Sequence, residues 1–284
     1  MTRRRAQAGR RATGVASACM VMLMLAWSLA PVVWQALTSI KPDAQITRVP
    51  TAYLPHPVVW THVAELWARK PFGTYLANSF WVSAWATLAC LALGAMAASA
   101  LARMRGGSRT GALLALLGAS LFPPILLLLP LYEGVRALGG INHPLALIVP
   151  YAALNLPLAV WILESGIRAI PRELDEAAQL DGLGPLARLW HVQLPLARAP
   201  LATAAIVVFI FCWNEFMLAM TFMTRDSSKT VTAGIASVSG VSFYQIPWGQ
   251  LSAAILIATL PLVALVLAFE RWIVSGLTRG AIVE

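Results

Sequence analysis

The chain has 284 residues, of which 59% are hydrophobic and 12% charged, with a net charge of +9 and a mean hydropathy of +0.72. Ordinary globular domains carry about 25% charged residues, so a water-soluble fold is excluded and a polytopic membrane protein of one domain is expected. The positive excess is read as Arg and Lys retained on the cytoplasmic side of a membrane, and a nucleic-acid partner is not expected. Cys19, Cys90 and Cys212 all lie in apolar runs, without CxxC spacing or nearby His partners, which argues for packing and against a disulfide or metal site.

Residues 1–13 form a basic cytoplasmic segment, and residues 14–284 form the transmembrane domain. The first span is placed at 14–37; a secretory signal has a shorter apolar core, about 7–15 residues, so this run is retained. Residues 38–74 are proline-rich (Pro42, Pro50, Pro55, Pro57, Pro71), which rules out one long helix. Within them, residues 61–70 predict a short surface helix with Val63, Leu66 and Trp67 on one face. The second span, 75–101, opens with Asn78 and Ser79 and is rich in small residues such as Gly94, Ala95 and Ala98, which permit close helix packing. The third, 111–131, contains Phe122-Pro123-Pro124 and is expected to kink there. The fourth, 145–167, contains Pro150, Asn155 and Pro157; the fifth covers 201–222 and the sixth 250–274.

Six spans put both termini on one side. Fourteen Arg and Lys residues fall on the side shared by the termini, the turn after the second span and the 168–200 loop, against seven on the other. That bias places the termini and the loop in the cytoplasm.

The 168–200 loop is the one long polar segment between apolar runs. Pro171 suits the first turn of a helix, and Glu173, Asp175 and Glu176 favour its positive end. Leu174, Ala177 and Ala178 share one face. Asp181-Gly182 is a break, since Gly commonly follows a helix end, and Gly184-Pro185 restarts a second helix with Leu186, Leu189 and Trp190 as its apolar face.

Glu176-Ala177-Ala178, three residues, Gly182, nine residues, Val192, one residue and Leu194-Pro195 resemble the EAA loop of permease subunits in binding-protein-dependent ABC importers. Val192 stands where the usual pattern has Ile. Further stretches resemble the carbohydrate-importing, maltose and glycerol-phosphate type branch, and within it the shorter permease subunit. These are Asn78-Ser79, Phe122-Pro123-Pro124, Pro130-Leu131-Tyr132, Trp213-Asn214-Glu215-Phe216 and Gly276-Leu277-Thr278-Arg279-Gly280. Glu270 replaces the Gln of many relatives.

The resemblance implies an all-α integral membrane fold, the six-transmembrane-helix type I permease with cytoplasmic EAA coupling helices. It implies a chain in the bacterial cytoplasmic membrane that translocates a sugar or sugar-like solute. The implied partners are a second homologous permease subunit, two cytoplasmic ABC ATPase subunits, an extracytoplasmic solute-binding protein and membrane lipid. Carried onto this sequence, Glu176, Ala177, Ala178, Asp181 and Gly182 form the docking knob, with Leu194 and Pro195 closing the loop.

Trp213, Asn214, Glu215 and Phe216 form a candidate cavity or gate, because a mid-span carboxylate is costly and normally faces the bundle interior; an interhelical hydrogen bond is the other reading. Asn78 and Asn155 read as packing hydrogen bonds, and Glu133 and Glu164 as solvated residues near span ends. His56, His62, His143 and His191 lack ligand-like spacing, so no metal is expected. None of Lys41, Lys70 and Lys229 follows a Gly, so no P-loop is present. The chain is therefore not expected to be an enzyme or to hold a cofactor, and ATP is expected on the partner ATPases. An ion-gradient-driven secondary transporter is the alternative; it calls for several intramembrane ionisable residues or a repeat, and only Glu215 stands clearly mid-span.

Overall fold

The computed structural model describes residues 2–104, 106–238 and 246–280, with side chains for 17–104, 106–238 and 246–269. The side chains of the basic N-terminal cluster, of Glu270 and of the tail motif around Arg279 lie outside these, as does Arg105. Every regular element among the described residues is helical. In chain order they are α1 (Thr2–Ser39), α2 (Asp43–Ile46), α3 (Thr61–Arg69), α4 (Phe72–Arg103), α5 (Gly107–Ser120), α6 (Pro124–Ala137) and α7 (Leu145–Arg168). Then come α8 (Arg172–Leu180), α9 (Pro185–Arg188), a π-helical turn (Leu189–Gln193), α10 (Leu194–Leu196), α11 (Arg198–Asn214), α12 (Met217–Phe222), α13 (Val231–Val238) and α14 (Trp248–Gly280).

Four stretches are long and apolar enough to cross a membrane: Ser17–Ser39, Phe72–Arg103, Leu145–Arg168 and Trp248–Phe269. Two bent pairs, α5 with α6 at 80° and Pro185–Leu196 with α11 at 89°, raise the count to six if each is one span. α1 runs unbroken from Thr2 to Ser39.

The chain forms two compact units, Met1–Arg69 with Val238–Thr259, and Lys70–Ser237 with Leu260–Glu284. In the first, every described side chain of α1 from Ser17 to Trp34 is exposed, so this apolar helix needs lipid or protein to cover it. Lys41 is buried, its ammonium 4.2 Å above the Trp34 ring, and burial pushes its pKa below the ordinary value. α3 buries His62 and Leu66, while Trp67, expected on the same face as Leu66, points outward. His62 Nε2 lies 2.8 Å from the Lys41 carbonyl oxygen, and its ring packs where a side chain on Gly249 would stand.

The second unit is built on α4, α7 and α11. Ala86, Cys90, Gly94, Ala98 and Ala102 recur every four residues on α4, and all are buried. Residues at that spacing share one helix face, so α4 presents a seam of small side chains to its neighbours. A Cβ on Gly94 would lie 3.4 Å from the Ala159 Cβ on α7, which is ordinary contact distance. Such seams let helices approach closely where dispersion must do the work of association. One core cluster includes Val82, Leu147, Tyr151, Val208 and Phe222; the other includes Ala95, Val160, Leu163, Ile167, Leu189 and Leu194.

The third expected span is two helices of 14 residues each. Proline disfavours helical geometry in the residue before it, and Pro124 takes the first position of α6, where no donor is missed. The 80° turn is thus a helix end followed by a fresh start. The fifth expected span is interrupted as well, between Asn214 and Met217. The segment after it, read from sequence as loop, contains α13. Its first N–H is received by the buried Ser79 hydroxyl at 2.7 Å, and Gly234 abuts the Tyr75 ring. Glu164 corrects the expectation of a solvated end residue. It is buried, and Arg109 of α5 binds both its oxygens, at 2.7 and 3.0 Å.

The contact between α7 and α11 is testable at Gly166, where a Cβ would fall 2.3 Å from the Pro200 Cγ. Gly166→Val should cost about 1–3 kcal/mol through overpacking against a stiff ring. The measurement is the unfolding temperature of the purified protein in detergent. Gly94→Ala should be far milder, and equal melting of both variants would contradict this packing.

Candidate functional site

The 168–200 loop is folded by its own punctuation. Pro171 precedes α8 with extended backbone, and Glu173 and Asp175 occupy its first turn. At the far end Gly182 has φ +85°, a conformation open to Gly and costly for a branched residue. Its N–H donates to the Gln179 carbonyl oxygen at 3.1 Å, and the Leu183 N–H to that of Ala178 at 3.0 Å. These two bonds form a Schellman cap, which closes α8 and turns the chain sharply. Pro185 starts α9, and the helix then widens into the π turn, where the Leu194 N–H reaches the Leu189 oxygen. The widening falls where Pro195 can supply no N–H to a helix.

The loop exposes Glu176, Ala177, Asp181, Gly182 and Pro195, and buries Ala178 and Leu194. Its covered side takes in only part of the apolar faces that periodicity marks. Asp175, Ala178, Leu189 and Gln193 are buried, while Leu174, Leu180, Leu186 and Trp190 point outward, with Leu180 89% and Trp190 61% exposed. The loop therefore exposes four large apolar side chains beside the carboxylates Glu173, Glu176 and Asp181, and exposed apolar area of this kind marks a contact surface.

Asp175 is the residue that sequence reasoning undervalued. It is 4% exposed and sits among basic and amide groups. Arg188 Nη1 donates to Oδ2 at 3.2 Å, Gln193 Nε2 donates to Oδ1 at 3.0 Å, and the Arg103 guanidinium, from the end of α4, pairs with Oδ2. Arg172 and Arg188, on the loop itself, were the available signal, but spacing alone does not say which one turns inward, and nothing in the sequence points to Arg103 on α4.

The Trp213 to Phe216 stretch is a break in the bundle. Trp213 is buried and stacked on Phe209, with ring centres 5.8 Å apart. The exposed Asn214 side chain donates to the Ile210 carbonyl oxygen at 2.8 Å. Phe216 is exposed. The Glu215 carboxylate caps α12, accepting the Leu218 N–H at 3.0 Å and the Ala219 N–H at 3.2 Å. The Tyr151 hydroxyl donates to the same carboxylate at 2.7 Å, and Thr232 Oγ1 donates to the Glu215 carbonyl oxygen at 2.7 Å.

A cavity of about 840 Å³ opens on the outer-numbered half of α4, lined by Trp81, Trp85, Leu88, Asn78, Asn142 and Met223 among others. None of residues 213–216 lines it. Its polar rim is internally satisfied. Asn78 Nδ2 donates to the Ser227 and Lys229 carbonyl oxygens, and Asn142 Oδ1 accepts from the Thr224 and Arg225 N–H groups and from the Ser228 hydroxyl. Beside it, the hydrogen bond from Lys229 holds the Asp226 carboxyl below its ordinary pKa.

Residues 90–279 match the family model described as binding-protein-dependent transport system inner membrane component. This chain belongs to that family. A trehalose/maltose transport system permease protein of Thermococcus litoralis is 38% identical over 268 residues, covering 92% of this chain and 94% of its own. A sulfoquinovosyl glycerol transport system permease protein of Agrobacterium fabrum is 34% identical over 260 residues, covering 92% and 90%. The fold is also similar, with a TM-score of 0.77 at 19% identity, to a chain from the crystal structure of a bacterial ABC transporter involved in the import of the acidic polysaccharide alginate. That match covers 93% of this chain and 97% of the other. Membership in an inner-membrane family gives the exposed apolar surface of α1 its explanation, because lipid or a neighbouring subunit is its solvent.

The capping role of Glu215 makes a definite prediction. Glu215→Ala removes the cap and strands the Tyr151 hydroxyl, and should cost about 1–3 kcal/mol, read as a lower unfolding temperature in detergent. Glu215→Gln keeps an acceptor oxygen and should lose less. Wild-type melting of the Ala variant would show that the carboxylate does not hold this break.

Proposed function

We propose that this chain is one permease subunit of an ABC importer that carries a sugar or sugar-like solute across the cytoplasmic membrane. The observation that carries this reading is the 168–200 loop, whose acidic and apolar residues face outward around a Gly-closed tip while its inner face is bound into the helical bundle. The solute class is supported by the relatives' names, two of which specify transport of glycosides.

In this reading the termini and the loop lie in the cytoplasm. The chain pairs with a second homologous permease and receives solute from an extracytoplasmic binding protein. Two ATPase subunits bind the ATP, and the chain itself holds no cofactor and performs no covalent chemistry. Glu176, Ala177, Asp181 and Gly182 meet the ATPase surface: Ala177 lets it approach closely, and the carboxylates pair with basic residues there. Leu180 and Trp190 supply apolar area at the centre of the contact. Movement of the ATPases carries α8 and α9 with it, and the spans rock between inward-open and outward-open states. Residues 213–216 place a satisfied break in the bundle where such a motion can bend.

The test is co-purification of the ATPase subunits through a tag on this chain. Gly182→Val forces a branched side chain into positive φ and should lose the partner, while the chain still inserts and is recovered from the membrane. Gly182→Asn should retain more of it, since Asn tolerates that conformation better. Deletion of residues 176–182 should abolish co-purification. Uptake that continues without ATP and collapses with the proton gradient would overturn the proposal.

A further inference from the structure

The Asp175 node connects two elements that lie far apart in sequence. α8 carries the carboxylate; the guanidinium of Arg103 comes from the last turn of α4, and Arg188 and Gln193 come from the segment after the Gly182 turn. Arg188 also donates to Gln179 on α8 at 3.0 Å. One buried carboxylate therefore pins both arms of the loop to each other and to α4.

The far end of this connection is the cavity. α4 is a single helix of 32 residues without an internal proline, about 48 Å long at 1.5 Å per residue. Sharp kinks arise at proline, at Gly/Ser pairs, at π-bulges or at inserted groups; α4 has no proline and is one α-helix from end to end. Arg103 ends it, and Asn78, Trp81, Trp85 and Leu88 line the cavity from well before that end. Displacement of α8 is thus applied directly to the helix that forms a cavity wall.

The node also has spare capacity. Arg188 Nε and Gln193 Oε1 are buried and have no hydrogen-bond partner. A buried donor and a buried acceptor left open cost free energy in this arrangement. The node therefore holds one open donor and one open acceptor beside the paired carboxylate.

We infer that Asp175 is a positioning residue for energy coupling: through its pairing with Arg103 it ties the ATPase-facing loop to α4 and transmits the loop's displacement to the cavity wall. The inference rests on the importer reading above. It assigns to Asp175 and Arg103 a task separate from docking, since Asp175 is buried while Glu176, Asp181 and Gly182 are exposed.

The test uses the full complex of this chain with its permease and ATPase partners, reconstituted in proteoliposomes with the solute-loaded binding protein outside. Solute transported per ATP hydrolysed is the quantity read. Loss of folded or assembled complex lowers both rates together, so a purely structural defect leaves the ratio unchanged. Arg103→Gln breaks only the link to α4, because Asp175 keeps Arg188 and Gln193. Its ratio should fall about fivefold or more, the lower end of ordinary coupling energies, and Arg103→Lys should restore part of it. Asp175→Asn should lower the ratio similarly, and the double variant should be no worse than the more affected single one. A ratio within twofold of wild type for Arg103→Gln would overturn the inference, and so would additive losses in the double variant. If Asp175→Asn fails to assemble, Arg103→Gln alone decides. Wild-type complex that transports without ATP would instead remove the importer reading itself, so the two failures are distinguishable.

Discussion

A carboxylate withdrawn from water, whether in lipid or inside a packed loop, must be held by groups of the same bundle or by a partner. Among the described residues of the second unit, buried Glu164 and Asp175 and half-buried Glu215 are each paired within the chain, and each stands where the fold changes direction. Glu164 takes Arg109 in two hydrogen bonds and fastens the start of α5 to the end of α7. Asp175 gathers Arg103, Arg188 and Gln193 at the start of the 168–200 loop. Glu215 caps α12 in the gap after α11 and receives Tyr151 from α7. Removing one member of such a set leaves a charge or a donor stranded, which is why these sites constrain the fold more than their number implies. The apolar seams between them are permissive by comparison, because one small residue can stand in for another.

The seam and the charge sites have different roles. Ala86, Cys90, Gly94, Ala98 and Ala102 decide how close α4 can come to its neighbours. They do not decide its position along them, since a four-residue slide would present a nearly equivalent face. The Ser79 hydroxyl, binding the first N–H of α13, and Arg103, pairing with Asp175, fix that position near the two ends of α4. Directional bonds thus set the register that dispersion leaves open.

Much of this was legible in the residues. Apolar run length located the long helices, Pro123 and Pro124 marked the break between α5 and α6, and Asp181-Gly182 marked the turn that the Schellman cap completes. Which faces of the loop helices are buried was not legible, for a physical reason. Periodicity shows which residues share a face, and it ranks faces by hydrophobicity. It contains no information about Arg103, 72 positions before Asp175, whose charge makes the carboxylate side the covered one. Trp190 and Leu180 then remain outside, although their hydrophobicity alone would turn them inward. α13 was missed on similar grounds: its Val, Thr and Gly content is poor for a helix, and its packing against Ser79 and Tyr75 is tertiary.

The choice of covered side in the loop is itself the clearest link between structure and task. A loop that buries Asp175 and exposes Leu174, Leu180, Leu186 and Trp190 would be poorly arranged for an isolated chain, because apolar area faces water and a charge is withdrawn from it. Both costs are offset if a protein covers the outer face and if the buried charge is fully paired within. The second condition is met by Arg103, Arg188 and Gln193. The first needs a partner whose surface is apolar at its centre and basic at its edge. The same choice of face therefore serves both attachments of the loop, firm pairing inward to α4 and reversible apolar contact outward.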